Sequence, residues 1–230
     1  RLARWLTAHR GMAGAAFLEK VVPWTVATFG FEADAFVHEL VDSIIGDNYP
    51  VPDRMLVHNE QVVHEYLMWA MCGKPRPSGK FDLYAVEGGT AAMCYIFKSL
   101  KANRLLFPGD TIALGTPIFT PYLEMTHLED YSLKVVNIAA PQENRFQYSD
   151  EEIKKLEDPK IKAFFVVNPG NPSGMGMSRE TIAKIVNLVK TKRPDLMLLT
   201  DDVYGTFVED FRSLMAELPR NTIGVYSYSK

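Results

Sequence analysis

Cysteine is scarce in this sequence: Cys72 and Cys94 are the only two among 230 residues. Each lies in an apolar or helical context typical of a buried, reduced thiol, so we expect a reducing compartment and a cytoplasmic protein. An excess of one charge is also lacking, since 25 basic residues stand against 28 acidic ones and leave a net charge of -3. That balance gives no electrostatic case for binding nucleic acid or a membrane surface. No apolar run approaches the roughly 20 residues that span a bilayer.

Histidine is too sparse and too poorly spaced to indicate a metal centre. His38 and Glu39 are followed by Asp42 where a zinc protease motif requires a second histidine. His58 and His64 are six positions apart and would fall on different faces of a helix. We therefore expect packed or solvated histidines and no bound metal.

The first 72 residues show the period of amphipathic helices. Apolar residues recur at helical spacing within 18–26, 36–44 and 56–71, and the proline-containing segment 46–52 separates the second group from the third. Residues 73–79, with the sequence GKPRPSG, are predicted to form a loop. We expect an N-terminal helical segment at 1–72 and a larger domain at 73–230.

From Phe81 onward, short apolar runs alternate with helical patterns. The pattern predicts strands at 81–86, 111–114, 133–138, 162–167, 196–200 and 222–227, and helices at 90–102, 119–129, 149–156, 178–191 and 211–217. Such alternation is typical of an α/β domain with a mainly parallel sheet flanked by helices. Ligands bind beyond the carboxyl ends of the strands in such sheets, so the residues that follow each strand are the candidates for chemistry.

Glycines and an aromatic residue follow the first two predicted strands. Gly88 and Gly89 lead into Thr90 at the start of a helix, where backbone N–H groups could bind an anion, although a tight turn alone would explain the pattern. Phe119 follows the second strand and could stack on a planar ring, although core packing is the commoner use of such a residue.

Amide and carboxylate groups follow two later strands. The segment 168–174, NPGNPSG, predicts either a rigid loop that fixes the Asn171 amide or a plain structural turn. Asp201 and Tyr204 are three positions apart and could converge on one ligand, with Asp202 on the opposite face. A pair of solvated loop acids would explain the two aspartates equally well.

In their order along the chain, these motifs resemble those of the fold-type I pyridoxal-5′-phosphate enzymes of the aminotransferase superfamily. Gly-Gly-Thr, Pro-x-aromatic, Asn-Pro-x-Asn-Pro-x-Gly, Asp-x-x-Tyr and Ser-x-x-Lys follow one another over about 150 residues. The resemblance implies the α/β fold of that family, incomplete because its C-terminal part lies beyond Lys230. It also implies pyridoxal 5′-phosphate as the cofactor.

The resemblance assigns roles to individual residues. It implies that Lys230 forms the Schiff base with the cofactor and shuttles a proton, and that Asp201 pairs with the pyridinium nitrogen. Together with Tyr204, these are the residues that it implies in catalysis. The other implied cofactor contacts are Asn171 and Tyr204 at the phenolate oxygen, Phe119 against the ring, Gly88, Gly89, Thr90 and Ser227 at the phosphate, and Tyr49 at the phosphate of a neighbouring subunit.

Longer stretches narrow the resemblance to the bacterial aspartate 4-decarboxylases. These stretches are residues 44–60, 80–100, 199–207 and 212–230. The narrower resemblance implies removal of the β-carboxylate of L-aspartate to give L-alanine and CO₂, with transamination as a side activity. It further implies a homodimer that assembles into a dodecamer. Two positions depart from ordinary aspartate aminotransferases, because Phe119 replaces a tryptophan and Gly88 replaces a serine.

Two alternatives remain open at this point. A plain aminotransferase that acts on aspartate or a related amino acid would use the same residues. A non-catalytic domain of a transcription regulator could also bind the cofactor, but residues 1–72 lack a helix-turn-helix pattern or a basic face.

Overall fold

The computed structural model describes residues 71–72, 84 and 86–229. The helical segment predicted at 1–72 lies outside the described residues except for Met71 and Cys72, which are helical and buried. Of the strand predicted at 81–86, only Tyr84 and Val86 are described, and neither is in a strand. The domain boundary expected after residue 72 therefore stays a prediction.

Strands and helices alternate through the rest of the described chain. The strands are β1 (Thr111–Thr116), β2 (Lys134–Ala139), β3 (Ile161–Val167), β4 (Met197–Asp201) and β5 (Thr222–Val225). The helices are α1 (Gly89–Ala102), α2 (Thr120–His127), α3 (Asp150–Lys154), α4 (Arg179–Thr191) and α5 (Leu214–Glu217), with 3-10 turns at Gln142–Asn144, Lys155–Glu157 and Gly205–Phe207. None of the described helices is long and apolar enough to cross a membrane.

The strands form one parallel sheet in the order β2-β1-β3-β4-β5. All five carboxyl ends therefore lie at the same edge. The chain leaves β1 toward β2 on one side and leaves β3 toward β4 on the other, so the connections diverge between β1 and β3. In open α/β sheets this divergence opens a crevice at the carboxyl edge, where ligands bind.

Both faces of the sheet are covered at its centre, which explains why β1, β3 and β4 are buried along most of their length. Phe165 faces one side, where it packs with side chains of α1 and α2 such as Phe97 and Tyr122. Phe164 faces the other side, where it packs in a cluster with side chains of α3, α4 and α5. Successive residues of a strand point to opposite faces, so the two neighbouring phenylalanines supply both halves of the core.

Serine hydroxyls mark where three helices begin. Ser149, Ser178 and Ser213 precede α3, α4 and α5, and each accepts a hydrogen bond from a backbone N–H of the first turn. Such a bond satisfies a donor that would otherwise lack a partner at the helix end. The prediction of a helix from residue 211 is wrong at its start, because the Ser213 cap delays the helix to Leu214.

Gly115 lies where β1 turns toward the crevice. A β-carbon at this position would lie 2.2 Å from the hydroxyl oxygen of Tyr148, whose side chain is buried in the core. There is no room for any side chain at that distance. The glycine therefore lets Tyr148 pack against the strand just before the segment that carries Phe119.

Candidate active site

A cleft opens at the carboxyl edge of the sheet, beside the divergence of β1 and β3. Its empty volume is about 550 Å³, part of which is open solvent. The residues that line it are Gly89, Thr90, Phe119, Tyr122, Val167, Asn171, Asp201, Val203, Tyr204, Ser227 and Ser229.

Asp201 ends β4 and presents a carboxylate to this cleft. Only 6% of the residue is exposed. One carboxylate oxygen, Oδ1, accepts a hydrogen bond from the Val203 N–H at 3.0 Å, and Oδ2 accepts one from the Tyr122 hydroxyl. The Asp201 carbonyl accepts a further bond from the Asn168 N–H at 2.9 Å. These bonds hold the side chain in one orientation. A solvated acid in a loop would be exposed to water and would have no such fixed orientation.

Tyr122 lines the cleft although it was not among the predicted site residues. It lies in the first turn of α2, three positions after Phe119, and is 2% exposed. Its ring packs against Phe165 at 4.6 Å between centroids and meets Phe119 edge to face at 5.5 Å. Burial, and next the negative charge of Asp201, raise the pKa of the Tyr122 hydroxyl well above its usual value, so the hydroxyl keeps its proton and donates to Asp201.

The glycine turn leads into α1 at one end of the cleft. Gly88 has a φ of 135°, a conformation that favours glycine. Gly89 begins α1, and no side chain caps this end of the helix. The first turn contains no acidic residue either. The N–H groups and the positive end of the helix dipole are thus available to an anion. Gly89 and Thr90 line the cleft, whereas Gly88 adjoins it without lining it.

Two serine hydroxyls follow β5 and line the same cleft. The hydroxyls of Ser227 and Ser229 lie 2.8 Å apart. Ser227 was a predicted site residue, but Ser229 was not. The spacing of two residues that brings both hydroxyls to one side was the signal that could have indicated it.

The loop after β3 is fixed by its first asparagine. Asn168 is 1% exposed, and its Oδ1 accepts a hydrogen bond from the Met177 N–H at 2.9 Å. The Asn168–Pro169 and Asn171–Pro172 peptide bonds are both cis. Asn171 of this loop lines the cleft, as does Tyr204 after β4.

Seven predicted site residues thus line a single cleft, and two others cannot be compared with it. The seven are Gly89, Thr90, Phe119, Asn171, Asp201, Tyr204 and Ser227. Tyr49 and Lys230 lie outside the described residues. Among the residues that are described, no group of three His, Cys, Asp or Glu side chains could hold a metal ion.

Comparisons with known proteins agree with this geometry. Residues 86–230 match the family model of aminotransferase class I and II. The whole chain is 49% identical to a bifunctional aspartate aminotransferase and L-aspartate beta-decarboxylase of a Pseudomonas species, and it covers 43% of that protein.

Solved structures with the same fold are also aminotransferases. The aspartate aminotransferase of Thermus thermophilus with maleate is 25% identical over 62% of this chain and 36% of its own, with a TM-score of 0.54. An aromatic aminotransferase of Pyrococcus horikoshii is 28% identical over 62% of this chain and 37% of its own, with a TM-score of 0.51. The chain spans less than half the length of these three proteins.

This chain belongs to the aminotransferase class I and II family. Members of that family depend on pyridoxal 5′-phosphate. The family, the fold and the cofactor predicted from the order of the strand-end motifs are thereby confirmed.

Proposed function

We propose that this chain belongs to a pyridoxal-5′-phosphate enzyme that removes the β-carboxylate of L-aspartate and yields L-alanine and CO₂. Transamination of aspartate is the proposed side activity. The single observation that carries a cofactor-dependent function is the buried Asp201 carboxylate, which faces the cleft and is held there by Tyr122 and the Val203 N–H.

The groups around the cleft fit the chemistry of the cofactor. A buried carboxylate suits a protonated pyridine nitrogen, because a nearby negative charge stabilises the protonated form of the ring. The uncapped start of α1, with the hydroxyls of Thr90, Ser227 and Ser229, suits a phosphate. Asn171 and Tyr204 offer an amide and a phenol that could donate to the phenolate oxygen. Phe119 supplies an aromatic face.

Each proposed role follows from one of these groups. When bound, pyridoxal 5′-phosphate supplies an electron sink for the electrons released at the substrate. Asp201 would hold a proton at the pyridine nitrogen and so maintain that capacity. Lys230 would bind the cofactor covalently and move a proton at the α-carbon of the substrate.

The proposed phosphate contacts come from two segments and a neighbouring subunit. Gly88, Gly89, Thr90 and Ser227 would bind the phosphate within the chain. Tyr49 would contact the phosphate in a neighbouring subunit. The support for Tyr49 is the motif resemblance alone, because it lies outside the described residues, and Gly88 adjoins the cleft without lining it.

The choice of decarboxylation over transamination rests on the 49% identity over the whole chain, since the relative concerned is named for both activities. Asp201 and the phosphate contacts serve either reaction and do not discriminate. A plain aminotransferase therefore remains the second candidate, favoured by the many relatives named for that activity alone, such as the aspartate aminotransferase of Thermotoga maritima.

Incubation of the full-length protein with L-aspartate as the only amino acid tests the proposal. We expect sustained release of L-alanine and CO₂, measured by chromatography and by a coupled CO₂ assay. L-Glutamate is the matched control, because its side-chain carboxylate is one carbon further from the α-carbon and cannot leave by the same route. A single half-turnover that stops without a 2-oxo acid acceptor would instead establish a plain aminotransferase.

The resemblance to the bacterial aspartate 4-decarboxylases supports a homodimer in the cytoplasm, with dimers assembled into a dodecamer. Amino-acid substrates and a dimeric state are typical of the aminotransferase relatives. The molar mass of the full-length protein in solution, measured by light scattering, tests the assembly: a mass of one subunit contradicts it.

A further inference from the structure

A second buried carboxyl group lies directly behind Asp201. Asp202 is 2% exposed and faces away from the cleft, toward the side of the sheet covered by α5. Its Oδ1 lies 2.5 Å from the hydroxyl of Thr200, and its Oδ2 lies 2.5 Å from the hydroxyl of Ser213. Both oxygens therefore have a partner, although none of the groups considered so far uses this residue.

Ser213 is itself fixed by other contacts. Its hydroxyl accepts a hydrogen bond from the Met215 N–H at 3.1 Å, as the cap of α5. Its own N–H donates to the carbonyl of Met71 at 2.8 Å. Next to it, Arg212 donates to the carbonyl of Cys72 at 2.7 Å and to Glu217 at 2.5 Å. Asp202 is thus anchored to a segment that cannot move without breaking several bonds.

Backbone hydrogen bonds also hold the end of β4. The Asp202 N–H donates to the Val225 carbonyl at 2.9 Å, and the Asp201 carbonyl accepts from the Asn168 N–H at 2.9 Å. Beyond these two bonds the chain turns away from the sheet. The Asp202 side chain also ties this strand end to the layer behind it, through the Ser213 hydroxyl.

No basic side chain of the described ranges forms an ion pair with Asp202. The charged groups nearby are Asp201 and, on the segment behind, Arg212 with its partner Glu217. Burial raises the pKa of Asp202 to about 7; the hydrogen bonds of Ser213 and Thr200 oppose the rise, and the charge of Asp201 adds to it.

We propose that Asp202 is a positioning residue: its bonds to Thr200 and Ser213 fix the end of β4 from behind, so that the Asp201 carboxylate keeps its place in the cleft. The inference rests on the proposed function of Asp201. A positioning role differs from a purely structural role because it predicts that a change of Asp202 alters the affinity for the cofactor.

Three variants of the full-length protein test this proposal: Asp202→Ala, Asp202→Asn and, for comparison, Asp201→Asn. Asp202→Ala removes both anchors, and we expect the affinity for pyridoxal 5′-phosphate to fall about tenfold or more, because a displaced binding group loses its alignment. Asp202→Asn keeps two polar atoms that Thr200 and Ser213 can bond, and we expect affinity within about threefold of the unaltered protein. Equilibrium titration with pyridoxal 5′-phosphate measures both values, and the pH at which the visible band of the bound cofactor changes should shift only in Asp202→Ala.

A second readout does not involve the cofactor. The folded-state pKa of Asp202 lies above its value in the unfolded chain, so the folded protein holds a proton that the unfolded chain releases. Stability is therefore lost as pH rises from about 4 to about 7, and the loss levels off above the folded pKa. Asp202→Asn has no such group. We expect the unfolding temperature of this variant to rise relative to the unaltered protein over that interval.

The outcomes separate the two proposals. If Asp201→Asn weakens cofactor binding but Asp202→Ala only lowers the unfolding temperature, Asp202 is structural and the inference is overturned. Equal losses of affinity in Asp202→Asn and Asp202→Ala would overturn it too, as would parallel pH courses of unfolding for the unaltered protein and Asp202→Asn. If Asp201→Asn leaves cofactor affinity unchanged, the proposed function of Asp201 fails instead, and with it the basis of the inference.

Discussion

Replacement of Asp201 by asparagine is expected to lower kcat/KM for L-aspartate on the order of 10²- to 10³-fold. Asparagine has nearly the same size, and its single amide oxygen can still accept one of the two hydrogen bonds, from Tyr122 or from the Val203 N–H, that the carboxylate accepts in the structure. It carries no charge, however, so a protonated pyridine nitrogen would lose its partner. Removing one partner of a buried ion pair costs about 3–5 kcal/mol, and each 1.4 kcal/mol corresponds to about tenfold. Steady-state kinetics of the full-length protein measure the effect.

Asp130→Asn is the matched control for this variant. The side chain of Asp130 is 85% exposed and pairs only at the surface with Lys101, so the same chemical change there should alter kcat/KM by no more than about twofold. Circular dichroism and the unfolding temperature show whether the Asp201 variant is folded. A folded Asp201→Asn protein with the kcat/KM of the control would contradict the role proposed for this carboxylate.

Replacement of Lys230 by alanine is expected to reduce turnover on the order of 10⁴-fold or more, since the variant loses both the covalent link to the cofactor and the group that moves the proton. Ser229, the residue before it, lines the cleft. The remaining contacts would still bind pyridoxal 5′-phosphate non-covalently. We expect the visible absorption band of the linked cofactor to disappear while bound cofactor is still recovered after gel filtration.

Lys190→Ala provides the comparison for the lysine variant. Lys190 is exposed in the last turn of α4 and is not among the residues that line the cleft. Its replacement removes the same charge and the same side-chain length without touching the cleft, so band and turnover should stay unchanged. A Lys230→Ala protein that keeps the visible band would assign the covalent link to another lysine.

The sheet could be predicted from the sequence because its signal is local. The apolar run predicted at 162–167 forms β3 at Ile161–Val167, and the run at 196–200 forms β4 at Met197–Asp201. The ends of these strands follow from the polar and proline residues that come next. The meeting of those ends at one edge follows from parallel pairing alone.

Tyr122 and Asp202 show what the sequence could not provide. An aromatic residue in the first turn of a helix has the same pattern whether it packs in a core or donates a hydrogen bond, and the Asp201 partner of Tyr122 is 79 positions away. The anchor of Asp202 is Ser213, which lies 11 positions later in the β4–β5 connection. Periodicity reports which face a residue is on, but it does not report which distant side chain meets it there.

The cleft takes its lining from both ends of the described domain, from Gly89 at the start of α1 to Ser229 after β5. Parallel strands cannot pair through a short turn, because each needs a crossover connection before it meets its neighbour. Contacts between distant parts of a chain also form slowly, because the chain between them must first close into a loop. During synthesis, a ribosome-bound chain that has emerged only as far as β4 has the carboxylate but not the two serine hydroxyls. The described lining of the cleft is thus complete only after β5 has joined the sheet.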